Sequence, residues 1–279
     1  MTDTRVAAVA ANFGRDIEDA FAQIAVILDD ARVRGASLVV LPEATLGGYL
    51  ANLDGFGDVA LPPALDADGP EVRRLAELAG DLVVTAGLCE ADGDVRYNTA
   101  VAVHGGGVLG IHRKVHQPLG EGASYAAGDR FAAFDTPVGR LGMLICYDKA
   151  FPEAARALAV DGAEIVCCMS AWPAARTNPA PDLAADRWTR RFDLFDRARA
   201  LENQLLWVSA NQSGTFGSLR FVASAKVVDA GGDVLATTGT RAGVAYASVD
   251  LAAMLAGARG GMFHLRDRRT DAYAIPVGA

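Results

Sequence analysis

The feature that most constrains this chain is a change of hydrophobic period close to its start. "VAAVAAN", Val6 to Asn12, is a short unbroken apolar run, the pattern of a buried strand. In "DIEDAFAQIAVILDDARVRGA", opened by Asp16, the residues Ile17, Phe21, Ile24, Ile27 and Leu28 recur at helical spacing, and Gly35 supplies a stop. "SLVVLPEATLGGY" returns to an unbroken apolar run, cut off by Pro42. A strand, a helix and a second strand in this order make a βαβ unit, so the two strands are expected to lie parallel and to be joined by a right-handed crossover.

The pattern recurs. "EVRRLAELAG" reads as a helix and "DLVVTAGL" as a strand, while "NTAVAVH" and "GVLGIHRK" form a strand pair joined through Gly105-Gly106-Gly107. "RLGMLIC" is a strand, "PEAARALAVDGA" a helix with Pro152 at its start, and "EIVCCMSA" a further strand. The Arg- and Asp-rich "DRWTRRFDLFDRARALEN" is expected to be helical, and "QLLWVSAN", "RFVASAKVVD" and "GVAYASVD" to be strands. No Ser/Pro/Gly linker divides the sequence, so residues 1–279 are read as one α/β domain with its core over about 6–250. The tail, 251–279, carries Arg266, Arg268 and Arg269 beyond Gly260, fits no core pattern, and is expected to pack on a neighbouring subunit.

Composition decides what such a chain can meet. With 51% hydrophobic and 22% charged residues it has the material for a substantial core and is not disordered. Its 26 Lys+Arg against 34 Asp+Glu leave a net charge of -8, so there is no basic field for a nucleic-acid backbone. The apolar stretch near the N-terminus is too short to span a membrane and lacks the basic start and cleavage site of a signal peptide, which makes a cytoplasmic location without membrane contact the expectation. Four cysteines, Cys89, Cys146, Cys167 and Cys168, do not resemble a disulfide framework in a chain of this length.

Polar residues at the carboxyl ends of strands in an α/β fold converge on one crevice. Glu43 follows "LVVLP", Lys114 follows "GIHR", and Cys146 closes "GMLI". Most strand cysteines are core residues, and Cys167 and Cys168 inside "EIVCCM" are read that way. Cys146 differs because the apolar run stops there, Tyr147-Asp148-Lys149 follows, and a helix started by proline begins just beyond. A thiol on such a turn gains exposure, backbone N–H donors for an oxyanion, and a helix N-terminus that favours the thiolate. Glu43, ahead of Gly47-Gly48, is placed to act as a general base, and Lys114 to stabilise a developing oxyanion. An alternative base comes from "HRKVH": if extended, it puts His112, Lys114 and His116 on one face, which leaves a Cys-His hydrolase or, more weakly, a metal site open.

"LVVLPEATLGGY", "GIHRKVHQP" and "LGMLICYDKAFPEAAR", in this order, resemble the glutamate, lysine and cysteine motifs of the nitrilase superfamily of carbon-nitrogen hydrolases. "VAAVAANFGRD", "GEGASYAAGDRFAAFDTPVGRLGMLICYD" and "RARALENQLLWVSANQSG" extend the resemblance over roughly Val6 to Asp250. It implies an α/β fold of the four-layer-forming α-β-β-α sandwich type. Cys146 would be the nucleophile, Glu43 the general base and Lys114 the oxyanion-stabilising cation, with Glu121 of "PLGEGASY" orienting Lys114 and substrate. It also implies face-to-face association, hence a homodimer or larger homo-oligomer.

Attack on an amide would then give a thioester on Cys146, with the Tyr147 N–H and Lys114 facing the oxygen, and no metal or organic cofactor is expected. "CYDKAFPE" is more similar to the amidase and carbamoylase branches than to the nitrile-cleaving branch. The expected substrate is therefore a small amide or N-carbamoyl compound, ahead of a nitrile. A member that only binds small ligands is the rival from another class, and the intact Glu43, Lys114 and Cys146 speak against it. "SAWPAARTNPAPDLAAD" is expected to shape the pocket, with Trp172 against the substrate and Arg176 and Arg187 as candidate readers of a carboxylate.

Overall fold

A computed structural model describes residues 3–54 and 61–273. The chain opens with β1 (Thr4–Ala11), α1 (Ile17–Val33) and β2 (Leu38–Val40), continues through the short β3 (Ala64–Leu65), α2 (Pro70–Ala79) and β4 (Val83–Asp92), and then forms the hairpin of β5 (Val95–His104) and β6 (Gly107–Arg113). Next come β7 (Ala133–Thr136), β8 (Gly139–Ile145), α3 (Pro152–Val160), β9 (Ile165–Ser170), α4 (Arg187–Asn203) and β10 (Leu206–Gln212). The last part holds the ribbon β11 (Thr215–Phe216) and β12 (Leu219–Arg220), then β13 (Lys226–Val228), β14 (Val234–Thr237), β15 (Gly243–Val249) and α5 (Leu251–Gly261).

β1 and β2 are parallel, as the βαβ pattern requires, and α1 is capped by Asp16, whose carboxylate accepts from the N–H groups of Glu18 and Asp19. The strand order is β6-β5-β4-β2-β1-β10-β9-β8-β7. β1 pairs with β2 over residues 6–8 and reaches β10 only at Ala10 and Ala11, while β15 runs antiparallel along it. The sheet therefore parts into two halves at β1, and the alternation of side chains fills the space between them. Val6, Ala8 and Ala10 pack in one core with Leu38, Val40, Ala100, Leu141, Met143, Ile165 and Val208. Ala7 and Val9 face the other way, under Phe21, Ile24 and Leu28 of α1 and Val72 and Leu75 of α2. On the far side Ala154, Ala155 and Leu158 of α3 and Ala200 of α4 cover Leu144, Val166, Cys168 and Trp207. The layers run helix, sheet, sheet, helix. Full burial of each large side chain contributes about 1.5–3 kcal/mol, and the inner core, apolar on both walls, fixes the stacking.

Two expectations are corrected. "RFVASAKVVD" is not one strand: Arg220 ends β12, Ala223 and Ser224 take left-handed φ of 56° and 55°, Ser224 N–H bonds to Gly239 O at 2.8 Å, and Lys226–Val228 pairs separately as β13. The bend lets Val222 N–H reach Trp172 O at 3.1 Å, so the segment leaves the sheet to buttress the loop after β9. The core does not stop at 250 either. Asp250 caps α5, Leu255 is buried, and Gln204 Nε2 donates to the carbonyls of Ala258 and Met262 at 2.7 Å each.

Candidate active site

Glu43 stands just beyond β2, with its backbone seated on Gly87 of β4. A Cβ at Gly87 would lie 2.3 Å from Ala44 N and 2.8 Å from Glu43 Cα, so only glycine permits this approach. Gln212 Nε2 holds Glu43 O at 2.8 Å from the opposite half of the sheet. Lys114 follows β6, its N–H bonded to Asn98 O at 2.8 Å. Cys146 follows β8 with a left-handed φ of 49° and opens a tight turn over Cys146–Ala150 before α3. A non-glycine residue in that region is strained by about 1 kcal/mol or more and persists only where its surroundings hold it.

Those surroundings are visible. Asp148 accepts from Ile145 N–H at 3.1 Å and His116 N–H at 3.0 Å, and meets His112 Nε2 at 3.1 Å and His116 Nδ1 at 2.8 Å. The two histidines thus brace the turn behind the thiol, and the expectation that either might serve it as base is corrected: both rings face Asp148. Lys149, fully buried, binds Asp196 Oδ1 at 2.8 Å, and Lys226 binds Asp196 Oδ2 at 2.8 Å. Arg199 Nε donates to Lys149 O at 2.9 Å, so α4 grips the turn through both backbone and side chain.

Glu43, Lys114 and Glu121 come together with no solvent exposure. Lys114 Nζ lies 2.8 Å from Glu43 Oε1 and 2.7 Å from Glu121 Oε2. Asn98 Nδ2 donates to both carboxylates at 2.6 Å each, and Ala171 N–H to Glu43 Oε2 at 2.5 Å. Burial opposes the Lys114 ammonium, but Glu121 and Glu43 outweigh it and hold its pKa well above the usual lysine value. Burial raises Glu121 above the ordinary carboxyl range despite Lys114. The Cys146 thiol is pushed well up by burial and by the Glu43 charge, against the pull of Lys114 and Lys149.

Cys146 lies on a cavity of about 390 Å³ whose apolar wall includes Tyr49, Leu53, Pro118, Leu119, Tyr147 and Trp172. Trp172 is fixed by Asn211 Oδ1, 2.8 Å from its N–H, and packs on Phe192. Glu43, Lys114, Glu121, Cys146, Tyr147 and Trp172 belong to this cluster or its cavity, and Arg176 and Arg187 line the same cavity. Asn98, the Ala171 N–H, Gln212 and Tyr49 were not foreseen. Gln212 carries the same signal as Glu43 and Cys146, a polar residue near the end of a largely apolar run, whereas Asn98 stands ahead of one.

The sequence profile of the carbon-nitrogen hydrolase family matches residues 5–258. The chain is 33% identical over 229 residues to a nitrilase of Pyrococcus abyssi, covering 81% of each protein. It is 28% identical to the human omega-amidase NIT2 over 99% of both chains. The crystal structure of a carbon-nitrogen hydrolase from Helicobacter pylori G27 superposes with a TM-score of 0.80 at 26% identity, covering 98% of this chain and 97% of that one.

Proposed function

The chain belongs to the carbon-nitrogen hydrolase family, and on that premise we propose that it cleaves the C–N bond of a small amide or N-carbamoyl compound through a thioester on Cys146, releasing ammonia. It is an amidase-like hydrolase of the nitrilase superfamily. The observation that carries the finer reading is the buried Glu43–Lys114–Glu121 cluster within electrostatic reach of a strained, buried Cys146 at a cavity.

In the proposed reaction Glu43 takes the thiol proton as Sγ attacks the carbonyl carbon. Lys114 and the Tyr147 N–H face the oxygen as it gains charge, in a site where such donors act far more strongly than in water. The tetrahedral intermediate collapses when Glu43 hands the proton to the departing nitrogen, which leaves as ammonia. Water, deprotonated by the same Glu43, attacks the thioester; Sγ departs with the proton and the acid is released. Glu121 touches the lysine rather than the thiol and positions it. Asn98 does the same for the two carboxylates, since it donates to both.

The nitrilase of P. abyssi among the relatives favours one second reading, entry of a nitrile through a thioimidate on the same sulfur. A panel of short amides, N-carbamoyl compounds and nitriles, with ammonia release measured for the parent and for Cys146→Ala, separates the two. Turnover of amides or N-carbamoyl compounds, abolished by Cys146→Ala, is expected. Turnover of nitriles alone replaces the proposal by the second reading, and turnover of nothing overturns both. We also propose that residues 1–279 act as one hydrolase domain, in the cytoplasm, as a homodimer or larger; no helix of the described residues is long and apolar enough to cross a membrane.

A further inference from the structure

We propose that Lys149 is a positioning residue for Cys146: its ammonium, pinned by Asp196 of α4, fixes the nucleophile turn and serves the thiolate as a second cation besides Lys114; this rests on the reading of Cys146 as the nucleophile. Only three of the 26 basic residues are lysines, Lys114, Lys149 and Lys226. All three are buried, the first two with no exposure at all. Basic side chains are normally solvated, and burying an ammonium is costly unless it is paired. Lysine differs from arginine in offering a compact point charge rather than a planar fork of donors. Lys114 is one such charge in the site, and the sequence sets another three residues after Cys146.

Lys149 Nζ lies 2.8 Å from Asp196 Oδ1, which also accepts from Trp207 Nε1 at 2.9 Å, while Lys226 takes Oδ2 at 2.8 Å. Asp196 thus ties the turn, β10 and β13 to α4. Lys226 also meets Asp193 at 3.0 Å, whereas among the described residues the one ion pair of Lys149 is with the Asp196 that it shares. The charge of Lys149 is therefore incompletely answered. The Phe192 and Trp172 rings lie 3.0 and 5.4 Å from its Nζ, and in such dry surroundings a charge acts more strongly than in water. The Cys146 thiol is within its reach, and the other groups facing that thiol are Glu43, Lys114, Glu121 and Tyr49. Cys168 of β9 and Arg199 of α4 also border Lys149, and Arg199 holds the carbonyls of Lys149 and Ala150 at 2.9 and 3.2 Å. Asp148, in the same turn, is committed to His112 and His116. The left-handed Cys146 is thus held from α4 through the residue that also places a cation near its sulfur.

The test needs no substrate. Alkylation of the full chain by iodoacetamide is followed against pH by mass spectrometry of the peptide carrying Cys146. The thiolate is the reacting form, so Lys149→Met should displace the profile to higher pH. Lys149→Arg, which keeps a charge, should stay near the parent, and Lys226→Met, which frees the other oxygen of Asp196, should displace it less than Lys149→Met. A structural role alone would lower the urea midpoint of both methionine variants and leave the profile where it was. With an amide that the parent hydrolyses, Lys149→Met should lower kcat roughly 10- to 100-fold and change KM much less. Should Lys149→Met not fold, the parent decides. With lysine labelled with ¹³C at Cε it gives three signals, of which at least two should follow the ionisation of Cys146 and cease to do so in Cys146→Ala. An unmoved alkylation profile in folded Lys149→Met, or movement of no more than one lysine signal in the parent, overturns the proposal. Neither readout depends on ammonia release, so a protein that hydrolyses nothing sinks the proposed function and leaves the coupling of Lys149 to Cys146 standing.

Discussion

Glu121 reaches the chemistry only through Lys114. Its carboxylate holds the ammonium at 2.7 and 3.0 Å, and without it a four-carbon stem is poorly aimed. Glu121→Gln should lower kcat roughly 10- to 100-fold while changing KM much less, because misplacement of the cation is felt as charge develops. Steady-state kinetics and the single-turnover rate of Cys146 acylation check this; unchanged values for both would make Glu121 a buried structural residue. Glu43, Lys114 and Cys146 were legible in the sequence because each stands where a strand ends and because the ordered motifs resemble a family, whereas Glu121 was legible through that resemblance alone. The Ala171 N–H was not, since a backbone donor has no residue signature. The histidines misled because one-face alternation says which side chains are neighbours and not which partner they meet; here Asp148, two residues beyond the thiol, takes both.

Between elements the demanding contact is the crossing of the Glu43 segment over β4. The 2.3 Å separation of a built Gly87 Cβ from Ala44 N involves backbone, which cannot swing aside. Gly87→Ala should therefore push Glu43 off its seat, cost about 1–3 kcal/mol of stability as overpacking does, and reduce kcat more than tenfold. Denaturant midpoint and turnover measured together check it, and an active variant of parental stability would show that the segment can shift freely. This contact is invisible in the sequence, where "VVTAGL" offers glycine as an ordinary strand weakener. The helices and long strands were legible from period and caps. "RFVASAKVVD" was not, because its apolar content serves the cavity-side buttress rather than a ladder, and the left-handed turn at Ala223 and Ser224 uses residues with no turn preference strong enough to mark it.

Over the whole molecule the two sheet halves are joined along β1 and closed by one inner core, an arrangement implied by the family resemblance but not by hydrophobic period alone, which cannot say where a sheet divides. Stability should depend on pH through two buried carboxylates. Burial alone would raise Asp148 and Asp196, yet His112 and His116 on the first, and Lys149 and Lys226 on the second, bring both below the ordinary aspartate range. Their folded pKa values lie under the unfolded ones, so the contribution is complete above about pH 4 and is lost as pH falls through the folded values. Urea midpoints between about pH 7 and pH 3 should fall at the acid end, less steeply in Asp148→Asn; a flat profile for the parent would contradict the assignment. The inner cluster draws Glu43, Asn98 and Lys114 from one half, and Cys146, the Ala171 N–H and Gln212 from the other. The proposed chemistry would thus be a vernier for the alignment of two plates: a slip too small to break a strand or empty the core would already part the thiol from its proposed base.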